Sequence, residues 1–150
     1  MLTIIEKVIF LQNVEVFTEV PTEDLAYLAA ITEEVTYKTG EVIYKEDEPS
    51  DAFYLVLEGQ VRLHREGKEI MIAHEKKAFG TWTLFDEAPR VVTATPLTDC
   101  RLLRIDREDF FDLLADHIQI TQGVFKTVVK RLRSLMETVS LEPQQGNEMS

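Results

Sequence analysis

Phe79-Gly80-Thr81-Trp82-Thr83-Leu84-Phe85-Asp86-Glu87-Ala88-Pro89-Arg90-Val91-Val92-Thr93-Ala94 is the stretch on which this 150-residue chain turns. It reads as a glycine turn, a short apolar helical turn, a proline, and an arginine at the mouth of a strand. An anion pocket is built from such parts: backbone N–H groups at a turn or helix start, and one guanidinium to clamp the charge. Gly80 serves either a plain turn or the close approach of backbone to a ligand. Arg90 stands among apolar strand residues and must find an anion, a carboxylate or solvent. Asp86 and Glu87 are the carboxylates nearest to it in sequence, and either one folded onto Arg90 would fill the pocket from within.

On both sides of this stretch the pattern is all-β. Val35-Thr36-Tyr37 runs into the turn Thr39-Gly40, and Val42-Ile43-Tyr44 reads as a short strand. Phe53-Tyr54-Leu55-Val56-Leu57 is a continuous apolar run ended by Glu58-Gly59, the mark of a strand covered on both faces. Val61 and Leu63 alternate with Arg62 and His64, and Glu66-Gly67 makes a hairpin turn before Ile70-Met71-Ile72. Val91 to Thr95 and Cys100 to Ile105 complete the set. Short strands broken by regular turns point to a small barrel or jelly roll.

Helical periods flank this middle. Residues 2–11 read as a helix with Ile4, Ile5, Val8, Ile9 and Leu11 on a broad apolar face. Thr22 is placed to cap a second helix, with Glu23 and Asp24 in its first turn, and Leu25, Leu28 and Ala29 follow at helical spacing. Asp106 is a good N-cap for a helix carrying Phe110, Phe111, Leu113 and Leu114. A long helix from Ile118 to Val139 bears Phe125, Val128, Leu132, Leu135 and Val139 at heptad-like spacing, widened by Val129 and Met136. Gly123 weakens that helix by about 1 kcal/mol relative to alanine. The fold expected is mainly β with flanking helices: a β jelly roll (double-stranded β-helix) over about 33–105, N-terminal helices, and C-terminal helices over about 106–140. Residues 1–140 are expected to form one domain and 141–150 a disordered tail.

Composition narrows the function. Hydrophobic residues make up 45% and charged residues 29% of the chain, ordinary values for a globular domain. The formal net charge is −11, whereas a protein that grips DNA through phosphates needs a basic face. The one basic cluster, Lys126, Lys130, Arg131 and Arg133, is offset by Glu137 and Glu142. No apolar run approaches the ~20 residues that span a bilayer, and the start lacks the basic region and cleavage site of a signal peptide. Cys100 is alone, which rules out an internal disulfide and fits a cytoplasmic setting. His64, His74 and His117 form no metal-ligand pair, no Gly-x-Ser-x-Gly element is present, and Asp106, Glu108 and Asp109 read as helix-start charge. No enzyme, cofactor or metal is expected.

Three motifs, in order, are similar to the cyclic-nucleotide-binding domain family, in particular to bacterial catabolite-activator-like sensor domains without their DNA-binding part. They are Phe17-Thr18-Glu19-Val20-Pro21 with Leu25 and Leu28; Gly40 to Glu48 with Asp51 to Val61; and Phe79-Gly80 through Pro89-Arg90. The resemblance covers roughly residues 13 to 135. It implies a jelly roll whose Phe79–Ala94 segment is a phosphate-binding cassette. It further implies ligand contacts from Gly80, Thr81, Trp82, Arg90, Val91 and Val92, with Arg90 holding a cyclic phosphate and cAMP or cGMP as ligand.

The cassette departs from the family pattern at Thr81, where similar cassettes carry a glutamate that accepts from the ribose 2′-hydroxyl. Trp82 and Thr83 replace small or aliphatic residues, and Val91 replaces a small or hydroxylic one. Leu135-Met136 fall near the place where similar bacterial regulators contact the base. The reading is a regulatory module that senses a small anionic ligand and signals through its C-terminal helices. The alternative is a ligand-free interaction or dimerisation module with a degenerate pocket. The stripe Phe125, Val128, Leu132, Leu135 and Val139 either packs against the domain's own barrel or is a homodimer or inter-domain seam.

Overall fold

The computed structural model describes residues 1–141, with side chains through 139. The tail expected over 141–150 therefore lies, past Leu141, outside the described residues. Two antiparallel sheets face each other. One is four-stranded in the order β1 (Thr32–Tyr37), β7 (Cys100–Asp106), β2 (Ala52–Glu58), β5 (Ala78–Phe79). The other is three-stranded, with β3 (Val61–Arg65) between β4 (Lys68–Ala73) and β6 (Thr93–Pro96). This is the expected jelly-roll arrangement with helices at both chain ends.

The continuous apolar run of β2 is explained by its place. Ala52, Tyr54 and Val56 pack between the sheets with Leu63, Phe79 and Leu102, while Phe53, Leu55 and Leu57 pack outward against the helices. Alternate side chains leave a strand on opposite faces, so a strand with cores on both sides must be apolar throughout. Glu66 (φ 51°) and Gly67 (φ 79°) carry the paired positive dihedrals of a tight hairpin between β3 and β4. Val42-Ile43-Tyr44 corrects the strand expected there. Only Tyr44 pairs, through a single bridge to Ala94, because this segment bends inward to bury Tyr44 beneath the cassette.

The helices close the outer face of the four-stranded sheet. They are α1 (Ile4–Leu11), a 3₁₀ turn (Glu15–Phe17), α2 (Thr22–Ala30), α3 (Trp82–Phe85), α4 (Arg107–Asp116) and α5 (Ile118–Leu141). Thr3 caps α1, accepting from Glu6 N–H at 3.1 Å while the Glu6 carboxylate accepts from Thr3 N–H at 2.9 Å, so the helix starts at residue 4. Its apolar face is narrower than expected. Leu11 is buried and Val8 packs beside it, but Ile4, Ile5 and Ile9 are exposed. Pro21, not Thr22, is the N-cap of α2, and the Thr22 hydroxyl accepts instead from Gln12. Asp106 caps α4 as expected, accepting from Asp109 N–H at 3.1 Å.

Phe53, Phe17 and Phe110 meet at centroid distances of 5.4 to 6.0 Å and tie β2, the 3₁₀ turn and α4 into one aromatic centre. Gly123 has a use the sequence does not disclose. A Cβ there would lie 2.9 Å from the Glu19 carbonyl oxygen and 2.9 Å from Val20 Cα, so α5 lies directly on that backbone. Beyond it the stripe Phe125, Val128, Leu132, Leu135 and Val139 is exposed. Among the described residues no helix is long and apolar enough to cross a membrane.

Candidate functional site

The cassette is assembled where β5 ends. Phe79 pairs with Tyr54 on β2, and Gly80 then turns the chain at φ +79°. A Cβ on Gly80 would stand 2.7 Å from Arg90 Nη1 and 3.2 Å from the Tyr44 hydroxyl, so a side chain there would evict the arginine. The short helix α3 follows, anchored by fully buried Leu84. The Ser50 hydroxyl donates to the Ala88 carbonyl at 2.8 Å and shares a 2.8 Å hydrogen bond with the Thr83 hydroxyl. This pins the far end of the cassette to the loop before β2.

Arg90 is 2% exposed. Its guanidinium lies 3.8 Å from the centroid of the Tyr44 ring. Nη2 donates to the Ala52 carbonyl at 2.6 Å and faces Asp51 Oδ1 at 3.4 Å, while Nη1 donates to the Gly80 carbonyl at 3.3 Å. Nε has no partner, the one such buried side-chain nitrogen or oxygen among the described residues. Its backbone is held as firmly: Arg90 N–H donates to the Glu48 carbonyl at 2.8 Å and the Arg90 carbonyl accepts from Asp47 N–H at 2.8 Å.

The carboxylate beside Arg90 is thus Asp51, not Asp86 or Glu87. Asp86 closes its own turn by accepting from Ala88 N–H, and Glu87 reaches α4 to pair with Arg107 at 2.9 Å. Asp51 neutralises Arg90 weakly. Its side chain is 69% exposed and is shared with Arg104 at 3.6 Å, so solvent screens the contact. Burial, partly opposed by the Arg90 charge, pushes the Tyr44 phenol up to about 12, so Tyr44 remains a neutral platform.

All six residues named from the sequence, Gly80, Thr81, Trp82, Arg90, Val91 and Val92, line one cavity of about 700 Å³. That volume lies within the range of small-molecule sites. Leu63 and Met71 form its apolar wall, Val14 (the cap of the 3₁₀ turn) and Glu15 within that turn border it, and Arg131 enters from α5. The N–H groups of Gly80, Thr81, Val91 and Val92 make no hydrogen bond among the described residues. Lys77, Arg90 and Arg131 face the cavity against a single carboxylate, Glu15, in a chain of net charge −11. The wall therefore has the opposite sign to the molecule and favours an anion. Thr81 is buried and Trp82 stands at the mouth, 43% exposed.

Sequence reasoning missed Tyr44, Asp51 and Arg131. Arg131 was hidden inside a basic run that reads as solvated surface, of which Lys130 and Arg131 in fact pair with Glu19 and Glu15. Leu135 and Met136, which fall near the base-contact place of similar regulators but offer a base no hydrogen bond, are exposed and do not line the cavity; the helix presents Arg131 one turn earlier. The histidines are dispersed: His64 hydrogen-bonds Thr95, His74 meets Gln60, and His117 stacks on Tyr27. No group of three His, Cys, Asp or Glu among the described residues could hold a metal ion.

Comparison with known proteins bears on this geometry. The family model described as "Cyclic nucleotide-binding domain" matches residues 34–117. A "CRP-like cAMP-activated global transcriptional regulator" of Mycobacterium tuberculosis is 28% identical over 123 residues, 79% of this chain and 55% of that protein. A "cAMP-dependent protein kinase regulatory subunit" of Emericella nidulans is 30% identical over 107 residues, 70% of this chain and 26% of that protein. This chain thus spans about half, or less, of the length of these relatives. The solved N-terminal domain of a transcriptional regulator from Streptomyces coelicolor A3(2) superposes with a TM-score of 0.76 at 28% identity, covering 88% of this chain and 96% of that one.

Proposed function

The chain belongs to the cyclic nucleotide-binding domain family, and on that ground we propose that it is a regulatory module sensing a small anionic ligand at Arg90. Residues 1–140 act as one unit in this reading. The observation that carries it is the unpartnered Nε of buried Arg90. A buried polar group without a partner costs free energy, and a phosphate oxygen on that nitrogen removes the cost with a charge-assisted bond. The unused N–H groups of Val91 and Val92 stand beside it.

Two of the similar proteins carry cAMP in their names, which makes cAMP and cGMP the ligands to test first. Thr81 supplies a neutral hydroxyl where the family carries a carboxylate. Losing one charge-assisted bond of about 1.5–3 kcal/mol weakens binding roughly tenfold to a hundredfold. Signalling follows as a population shift. The cassette touches α4 through Phe85, whose ring lies 5.7 Å from Phe110, and through the Glu87–Arg107 pair. A ligand that moves the cassette therefore biases α4 and α5.

A second reading, a ligand-free dimerisation module, is favoured by the exposed α5 stripe and by the three oxygens that already surround the Arg90 guanidinium. Titration of cAMP and cGMP against Trp82 fluorescence separates the two, since Trp82 is the only tryptophan. Saturable change that Arg90→Ala abolishes and Arg90→Lys weakens is expected. No response and no thermal stabilisation up to about millimolar nucleotide, the weak end of specific binding, leaves the dimerisation reading. Binding that survives Arg90→Ala sinks the role given to Arg90.

A further inference from the structure

Arg131 is a second cation of the cavity that a single phosphate on Arg90 leaves unused. It enters the cavity from α5, whereas Arg90 comes from the end of the cassette. Its guanidinium lies 5.2 Å from the Trp82 ring centroid and pairs with Glu15 of the 3₁₀ turn. Both members are part-exposed, with side chains 44% and 57% accessible, so water screens the pair and it is readily exchanged. With Lys77, the wall offers three cations to one carboxylate, and that carboxylate is already engaged. A ligand of one negative charge on Arg90 leaves the Arg131–Glu15 pair as it stands, whereas a second anionic group can take the place of Glu15 on this part-exposed guanidinium.

We infer that the pocket takes a ligand bearing two separated anionic groups, one held by Arg90 and the other by Arg131, with its ring system against Trp82 and the apolar wall of Leu63 and Met71. This rests on the anion-site reading of Arg90. The second group competes with Glu15 for the Arg131 guanidinium. Binding therefore exchanges an internal tie between α5 and the 3₁₀ turn for a tie between α5 and the ligand. The number of charges on the ligand, and not only its presence, then decides where α5 rests.

Calorimetric titration of the full chain with cAMP, AMP and adenosine 3′,5′-bisphosphate tests this, because the three share adenosine and differ in their anionic groups. The bisphosphate is expected to bind about tenfold or more tighter than AMP, the worth of one added charge-assisted contact. Arg131→Gln is expected to remove that gain, so that the bisphosphate binds the variant no tighter than AMP does. Glu15→Gln, which removes the competitor, is expected to tighten the bisphosphate by up to about fivefold, the ceiling of an exposed ion pair. Thermal melts of each variant check folding. The wild-type gain should also shrink with added salt, a readout that needs no variant.

A bisphosphate no tighter than AMP, or a gain that survives Arg131→Gln, overturns the inference. If all three nucleotides bind equally and Arg90→Ala abolishes them, only this inference falls. If none binds, or Arg90→Ala changes nothing, the anion-site reading falls and takes this inference with it.

Discussion

Gly123→Ala opposes two effects of known size. Alanine in a helix interior is favoured over glycine by about 1 kcal/mol, so propensity alone makes the variant more stable. The added Cβ would stand 2.9 Å from the Glu19 carbonyl oxygen, from Val20 Cα and from Val20 Cγ2. Two of those three atoms belong to backbone and cannot swing aside, so α5 must back away, at an overpacking cost of about 1–3 kcal/mol. The retreat also stretches the bond from Glu19 N–H to the Thr127 hydroxyl, already 3.3 Å, worth about 1 kcal/mol. Contact outweighs propensity, for a net loss of about 2 kcal/mol. For a chain of this length that lowers Tm by about 4–8 °C. Calorimetric melts at matched protein concentration measure it. A rise in Tm would refute the claim that α5 lies on the Val20 backbone.

Gly59→Ala should cost far more than Gly40→Ala. Both have positive φ, a strain of about 1–2 kcal/mol for alanine, but a Cβ on Gly59 would meet the Asp99 carbonyl oxygen at 2.5 Å while that on Gly40 meets nothing within 4 Å; equal losses in urea midpoint would defeat the comparison. Tyr44 contributes a pH dependence: burial raises its folded pKa to about 12 from an unfolded value of 10.0, so its share of stability is whole below pH 10.0 and lost between the two values as the unfolded chain ionises first. Tyrosinate absorbance should lose its latest-titrating group in Tyr44→Phe, and loss of one titrating near 10 instead would contradict the burial argument. Leu132, 57% exposed on α5, is central to the dimer reading. Leu132→Glu should turn a dimer into a monomer by light scattering, and a wild-type chain that is monomeric at high concentration removes that reading.

Much of the fold was legible because its signals are local. The unbroken apolar run Phe53–Leu57 announced a strand with a core on each side, and Asp106 announced the start of α4. The six cassette residues could be named because a glycine, a proline and an arginine keep their order along a single segment, and the structure brings all six to the lining of one cavity. The errors share one cause. Val42–Tyr44 has strand propensity, but the segment turns inward to put Tyr44 under Arg90. The face of α1 is apolar in period, yet Ile4, Ile5 and Ile9 stay exposed among the described residues.

The amino-acid sequence by itself determined the order of strands and helices, the glycine turns and the cassette, since periodicity and positive-φ glycines act over a few residues. Only the tertiary structure decided what each charge meets. Arg90 faces a carboxylate 39 residues upstream rather than the two beside it, and Arg131 reaches one 116 residues away. Gly123 proved to be a contact point rather than a weak spot in α5. Such partners are chosen by packing the whole chain, where burial and space outweigh local preference, and no spacing along the sequence encodes them.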